Sequence, residues 1–311
     1  MKAAQIDTYG DVSVIEVREI EKPAISGEQV LVRVNAASLN PFDSAVRAGY
    51  AQAMAPFPFP GTLGLDLAGT IAEVGSDVTG FAVGDRVFGT ANAMFGASGA
   101  FAEFAATNAC NIAHTPENVS DADATALPTA GISALQALTD ELGIQSGQKL
   151  FINGGAGGIG TIAIQIAKHL GAYVATTASS DNVEFVKSLG ADEVIDYKSQ
   201  SFTDTIHGYD AALDTVGGDS LNDVLHVLKK GGKAVTLAGQ FDQEKATALG
   251  VTGSSQMTHV QTKVLTDLAT LVADGVVKVT VEKTYPLDQI KQAFTARETE
   301  SIKGKIVISI T

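Results

Sequence analysis

Phe151-Ile-Asn-Gly154-Gly155-Ala-Gly157-Gly158-Ile-Gly160 is the stretch on which the reading of this chain turns. An apolar run enters it at 149–153, and an amphipathic segment leaves it at 159–170. There Ile159, Ile162, Ala163, Ile166 and Leu170 recur at the spacing of one helical face. Strand, glycine turn and helix in immediate succession form the context that gives the spacing Gly155-x-Gly157-x-x-Gly160 a chemical meaning. The first glycine allows the tight turn, the second lets a pyrophosphate approach the backbone, and the third lets the helix pack closely on the strand. Backbone around Gly155, Ala156, Gly157, Gly158, Ile159 and Gly160, with the positive end of the helix dipole, makes a cradle for an anion. The turn reads as the pyrophosphate site of a dinucleotide, with a bare connecting turn as the alternative.

Working outward, strand and helix signals alternate from about residue 120. A helix is expected over 130–142, and strands over 173–177, 193–195, 211–214, 233–238 and near 248–252. Such alternation implies a parallel sheet covered on both faces. The N-terminal third differs. In 29–35, Val30, Val32 and Val34 alternate with Leu31, Arg33 and Asn35, as in a strand with one buried face. Short strands between Gly and Asp turns then suggest a compact barrel-like unit. The last stretch, 305–310, reads as a strand returning to this first domain.

A chain of 311 residues suits two domains rather than one core. The net charge of -14 argues against a nucleic-acid surface, which needs a basic patch. No window offers the roughly 18 uncharged apolar residues of a spanning helix, so no membrane role is expected. The N-terminus lacks the apolar stretch of a signal peptide, and Cys110 stands alone. A cytoplasmic protein in a reducing compartment is the expectation.

At the end of the second strand of such a fold, Asp or Glu would bond the ribose 2′-hydroxyl of NAD. Here the sequence runs Ala175-Thr-Thr-Ala-Ser179-Ser180-Asp181-Asn182. No acid ends the strand, and the hydroxyls of Ser179 and Ser180 are available to a 2′-phosphate, which favours NADPH with NADH possible. Asp181 opposes a phosphate, and capping of the next helix by the two serines is an equal reading.

These residues resemble the quinone oxidoreductase (zeta-crystallin-like) branch of the zinc-independent medium-chain dehydrogenases/reductases. The likeness is carried by Leu127-Pro-Thr129-Ala-Gly-Ile-Ser-Ala-Leu-Gln-Ala-Leu138, by 147–160 and by 185–197. In the first domain it is carried by Asn40-Pro-Phe-Asp43, Gly64-Leu-Asp-Leu-Ala-Gly69, Val83-Gly-Asp-Arg-Val-Phe-Gly89 and Gly99-Ala-Phe-Ala-Glu-Phe104. The resemblance implies an α/β protein with a GroES-like, β-rich catalytic domain over 1–121, completed by 263–311. A Rossmann domain with a doubly wound parallel sheet, over 122–262, would bind the cofactor. It further implies that Thr129 and Asn40 line the nicotinamide region, that Tyr197 packs near the adenosine end and that Gly239 faces the cofactor. A homodimer or homotetramer is implied as well. Where related sequences often carry a basic residue after the serine turn, this chain has Asp181 and Asn182.

Zinc-dependent relatives use Cys, His and an acid, and many hold a second zinc with four cysteines. This chain has one Cys, Gly64-Leu65-Asp66 where Gly-His-Glu would stand, and five scattered histidines, so no metal is expected. Without a Lewis acid, acceptors whose conjugation spreads the charge left by hydride arrival fit best: quinones or α,β-unsaturated carbonyls. Tyr50 is one candidate donor to the substrate, with a packing or interface tyrosine as the alternative. Asn40 is the second, with a local turn as the alternative. Phe42, Phe57, Phe59 and Phe95 are candidates for an apolar acceptor pocket, one or two of them serving it and the others core. The expected function is NADPH-dependent hydride transfer to a quinone or enone. The alternatives are a non-catalytic NADPH-binding protein and an enoyl-thioester reductase.

Overall fold

The computed structural model describes residues 1–310. The chain divides into two compact units: Met1–Thr129 with Val260–Ala273 and the segment from Val281 onward, and Ala130–His259 with Asp274–Thr280.

The first unit opens with β1 (Lys2–Ile6), β2 (Glu16–Glu19), β3 (Gln29–Leu39), β4 (Gly61–Thr62), β5 (Asp66–Val74), β6 (Arg86–Thr90), β7 (Phe104–Asn108) and β8 (Ile112–His114). β1 lies between β2 and β4, and β3 pairs antiparallel with both β5 and β7. The β-branched Val30, Val32 and Val34 suit this long strand and are fully buried. On the other face Arg33 is exposed and Asn35 half-buried, as expected of a strand with one buried face, and Leu31 departs from the pattern by being buried as well.

In the second unit β9 (Lys149–Asn153), β10 (Tyr173–Ala178), β11 (Glu193–Asp196), β12 (Tyr209–Asp214), β13 (Leu228–Thr236) and β14 (Thr252–Ser255) form one parallel sheet of order β11-β10-β9-β12-β13-β14. The strand expected near 248–252 therefore begins later. Residues Gln243–Leu249 are a helix, N-capped by Asp242 and ended by Gly250 at φ 70°, and only then does the chain extend. The expected helix over 130–142 starts earlier, at Pro128, and becomes a π-helical turn over Ala137–Glu141.

The last strands, β15 (Val281–Pro286) and β16 (Lys305–Ser309), belong to the first unit. β16 runs antiparallel to β3, with Ile306 opposite Leu39, and extends the sheet to β15-β16-β3-β5-β6-β8. The helix Asp121–Thr125 also joins this unit, although the sequence places the boundary at 121. Asn35 Nδ2 donates to Asp121 at 2.7 Å and Arg86 donates to it at 2.6 Å, which ties the helix to the strands.

The core of the first unit joins Val30, Val32, Ile71 and Phe101 to the C-terminal Phe294, Ile306 and Ile308. Phe294 meets Phe101 edge-on at 6.1 Å, and the Arg47 guanidinium lies 5.4 Å from its ring centre. Phe294→Ala should cost about 3–5 kcal/mol, read as a lower midpoint in urea unfolding of the full chain.

Candidate functional site

Numbered by occurrence within the second unit, its strands stand in the order 3-2-1-4-5-6. In such a sheet connections on either side of the first strand run in opposite directions, and ligands bind outside the carboxyl ends at that switch point. The glycine turn follows β9 there. A row of buried polar residues fixes the strand ends beneath it. The Gly154 N–H donates to Thr177 Oγ1 at 2.8 Å, and the Thr177 hydroxyl donates to Asn153 Oδ1 at 2.8 Å. Asn153 Nδ2 donates in turn to Asp214 Oδ1 at 2.9 Å. Asp214 Oδ2 accepts from the Thr236 hydroxyl at 2.8 Å and from the Gly217 N–H at 3.0 Å. Four adjacent strands are thus locked through polar side chains at their last turn. The sequence reading passed over these residues; the available signal was one polar side chain closing each apolar run.

The three motif glycines answer to different neighbours. A Cβ on Gly155 would fall 2.2 Å from Thr176 Oγ1, and one on Gly160 would fall 2.1 Å from the Gly154 carbonyl oxygen. Gly157 has φ −76°, open to any residue, and a Cβ there would meet only the Gly154 carbonyl oxygen at 3.7 Å. The protein's own packing therefore demands glycine at 155 and 160. At 157 it leaves room in front of the helix Gly158–His169, whose first-turn N–H groups at Gly158, Ile159 and Gly160 have no acceptor within the helix. Free donors, a dipole end and space for a phosphate fit a dinucleotide. Ala156 lies half-buried within the turn.

Beyond β10, Ser179 is buried, and its Oγ accepts from Asn182 Nδ2 at 3.1 Å. Ser180 is exposed, and its hydroxyl donates to Asp196 at 2.5 Å. Tyr197 is 56 % exposed, and its N–H donates to the Ala178 carbonyl at 3.3 Å. Gly239 follows β13 at φ 132° and is exposed.

The first unit holds a second polar cluster, centred on the fully buried Asp66. Its Oδ1 accepts from the Thr129 hydroxyl at 2.6 Å and the Thr129 N–H at 3.2 Å; its Oδ2 accepts from Asn40 Nδ2 at 2.9 Å and Ser38 at 3.2 Å. The Lys305 ammonium lies 3.7 Å from Asp66 and also donates to Asn40 Oδ1. Asn40 is 2 % exposed and starts the helix Pro41–Ala48, its N–H donating to Asp43 at 2.7 Å. Its amide nitrogen donates to Asp66 and Ser38 and its amide oxygen accepts from Lys305. Tyr50 lies past the other end of that helix, about 12 Å long, and is 85 % exposed. The two candidate donors are not brought together. Of the phenylalanines, Phe57 is core and meets Phe59 edge-on at 5.5 Å, Phe59 meets Tyr9 at 4.7 Å, Phe42 packs on the core, and Phe95 is exposed on its own turn.

Burial raises the Asp66 carboxyl above its usual range, against Lys305 and the hydrogen bonds it accepts. Burial holds Lys305 down, against Asp66 and Asp43. Asp43 is pushed up to about 7, first by burial and then by the Asp66 charge, against the Asn40 N–H and Lys305. Asp43 Oδ1 has no hydrogen-bond partner among the described residues. The sequence offered Asp43 only within the motif Asn40-Pro-Phe-Asp43 and Lys305 only as the start of a strand.

Residues 26–117 match the alcohol dehydrogenase GroES-like domain, and residues 189–308 match a zinc-binding dehydrogenase domain. The chain is 36% identical over 317 residues to 2-methylene-furan-3-one reductase of Solanum lycopersicum, covering 99% of this chain and 79% of that protein. It is 34% identical, with the same coverage, to the NADPH-dependent alkenal/one oxidoreductase of Arabidopsis thaliana chloroplasts. The solved quinone oxidoreductase of Coxiella burnetii superposes with a TM-score of 0.92 at 32% identity, covering 100% of this chain and 99% of that one.

Two outcomes follow from this geometry. Gly157→Val should fold with near wild-type stability yet lose at least about tenfold in dinucleotide affinity by calorimetric titration, whereas Gly160→Val should be strongly destabilised. For Asp43, a folded pKa near 7 lies above the unfolded 3.8, so its contribution favours folding at low pH and is lost as pH rises toward 7. Asp43→Asn should therefore gain on wild type by on the order of 2 kcal/mol between pH 5 and 7.5, measured by urea unfolding.

Proposed function

Since this chain belongs to the quinone oxidoreductase branch of the medium-chain dehydrogenase/reductase superfamily, we propose that it reduces quinones or α,β-unsaturated carbonyl compounds with NADPH and without zinc. The observation that carries this reading is the space at Gly157, bounded by the glycine turn and the helix N-terminus at the switch point of the 3-2-1-4-5-6 sheet. When bound, the nicotinamide supplies a hydride. The residues of this chain hold and orient. The first-turn N–H groups take the pyrophosphate, and the Asn153, Thr177 and Asp214 row keeps the turn rigid beneath it. Hydride addition to the β-carbon of an enone leaves an enolate, whose oxygen one hydrogen-bond donor stabilises while a solvent proton adds to the α-carbon and completes the saturated ketone. A quinone takes the same hydride and proton and leaves as hydroquinone. Tyr50, with its hydroxyl toward solvent, remains the candidate donor.

The donor chemistry of the first unit supports zinc independence. With one cysteine in the chain, no four-cysteine site can form. Asp66, which stands where a ligand would, has both oxygens engaged by Thr129, Asn40 and Ser38, with the Lys305 nitrogen 3.7 Å away. The names of the relatives support conjugated acceptors and NADPH.

Steady-state oxidation of NADPH against a panel of quinones, alkenals, enoyl-thioesters and simple ketones checks the proposal. Turnover should be confined to conjugated acceptors, be fastest with quinones or enones, and survive chelator, with elemental analysis showing no stoichiometric zinc. Coenzyme binding without turnover on any acceptor would contradict it, as would activity lost on chelation.

A further inference from the structure

We propose that Asp196, oriented by the hydroxyl of Ser180, gives this coenzyme site a carboxylate acceptor for the ribose 2′-hydroxyl, so that NADH is bound nearly as well as NADPH. The proposal rests on the reading of the second unit as a nicotinamide-coenzyme domain. In a doubly wound sheet the adenosine ribose lies beyond the end of the second strand, where an acid selects the 2′-hydroxyl and a base the 2′-phosphate. In this chain β10 ends at Ala178 with neither.

The missing acid is supplied from the neighbouring strand. β11 pairs in parallel with β10, with Ala178 opposite Asp196, so the last residue of β11 stands at the same level of the sheet. The exposed Ser180 reaches it across that edge, its hydroxyl donating to Asp196 Oδ2 at 2.5 Å, while the Lys198 N–H donates to Oδ1 at 3.0 Å. These bonds, Ser180's first, hold the carboxyl below its usual range, so it is ionised at neutral pH. Ser179 is buried, and its oxygen accepts from Asn182.

The Ser180 proton is therefore engaged by Asp196, and Ser179 is buried with its oxygen accepting from Asn182, whereas the sequence offered both serines as exposed donors to a phosphate. A 2′-phosphate arriving here competes with Asp196 for the Ser180 proton and meets two carboxylates, Asp196 and the exposed Asp181. Lys198 is the one base beside them in sequence, since Lys187 is paired with Glu184 at 3.0 Å. A 2′-hydroxyl, by contrast, can donate to the carboxylate without displacing anything.

Dissociation constants for NADPH and NADH, measured by calorimetry on the full chain, test this directly. In wild type the two should lie within about tenfold of each other. Asp196→Asn should weaken NADH by about tenfold and leave NADPH unchanged or tighter. Ser180→Ala should weaken NADH by a few-fold and leave NADPH within about twofold. If Ser180→Ala instead weakens NADPH by about tenfold, the hydroxyl serves the phosphate and the proposal fails. It also fails if Asp196→Asn leaves the ratio of the two constants unchanged. Wild type that binds neither coenzyme would overturn the coenzyme reading itself, an outcome distinct from an unchanged ratio. Thermal midpoints of both variants within a few degrees of wild type establish that the effect is local.

Discussion

The contact between Gly160 and the Gly154 carbonyl oxygen is the constraint on which the coenzyme domain depends. No side chain, not even a methyl group, fits between the start of the helix Gly158–His169 and the end of β9. That closeness places the first-turn N–H groups directly after the end of β9. It also leaves the turn with little tolerance for movement. The hydrogen-bonded row from Thr177 through Asn153 to Asp214 and Thr236 holds the strand ends to the same tolerance. Each of these polar groups is buried with a partner, which rigidifies a site that a purely apolar sheet end would leave free to slide.

The first unit is organised around the opposite kind of constraint, charge without water. Asp66, Asp43 and Lys305 are all buried, and desolvation disfavours the ionised form of each. The attraction of Lys305 for both carboxylates and the bonds from Thr129, Asn40 and Ser38 to Asp66 offset part of that cost, whereas the two carboxylates repel one another. The cluster also ties three distant stretches together: the start of helix Pro41–Ala48, the start of β5 and the C-terminal β16. Thr129 and Asn40 are held in register with one another through the two oxygens of a single carboxylate. Their placement is thus a property of Asp66 as much as of their own segments.

Elements with a strong local pattern were legible in the sequence almost to the residue. Strand Lys149–Asn153 and the helix after the glycine turn are stated by apolar periodicity and by glycine at fixed offsets, and both signals are local. Legibility failed where local pattern was ambiguous. The expected strand near 248–252 has the composition of either state, and a helix capped by Asp242 and Gly250 takes its place. Leu31 looked like the solvent side of a strand but is buried, although Arg33 on the same face is exposed, so its cover comes from elsewhere in the fold and not from the local pattern.

The site divides along the same line. By itself the sequence determined the glycine turn, the doubly wound domain that follows from it, and the family. Those rest on backbone sterics and short-range periodicity, which act within a few residues. Only the tertiary structure decided which hydroxyls remain free and which carboxylates stay charged. Ser180 is engaged by Asp196 because two strands end side by side, and Asn40 is engaged by Asp66 and Lys305 because β5 and β16 close over it. Hydrogen bonding and desolvation depend on neighbours in space, and a neighbour 16 or 265 residues away leaves no mark on the local pattern of a chain.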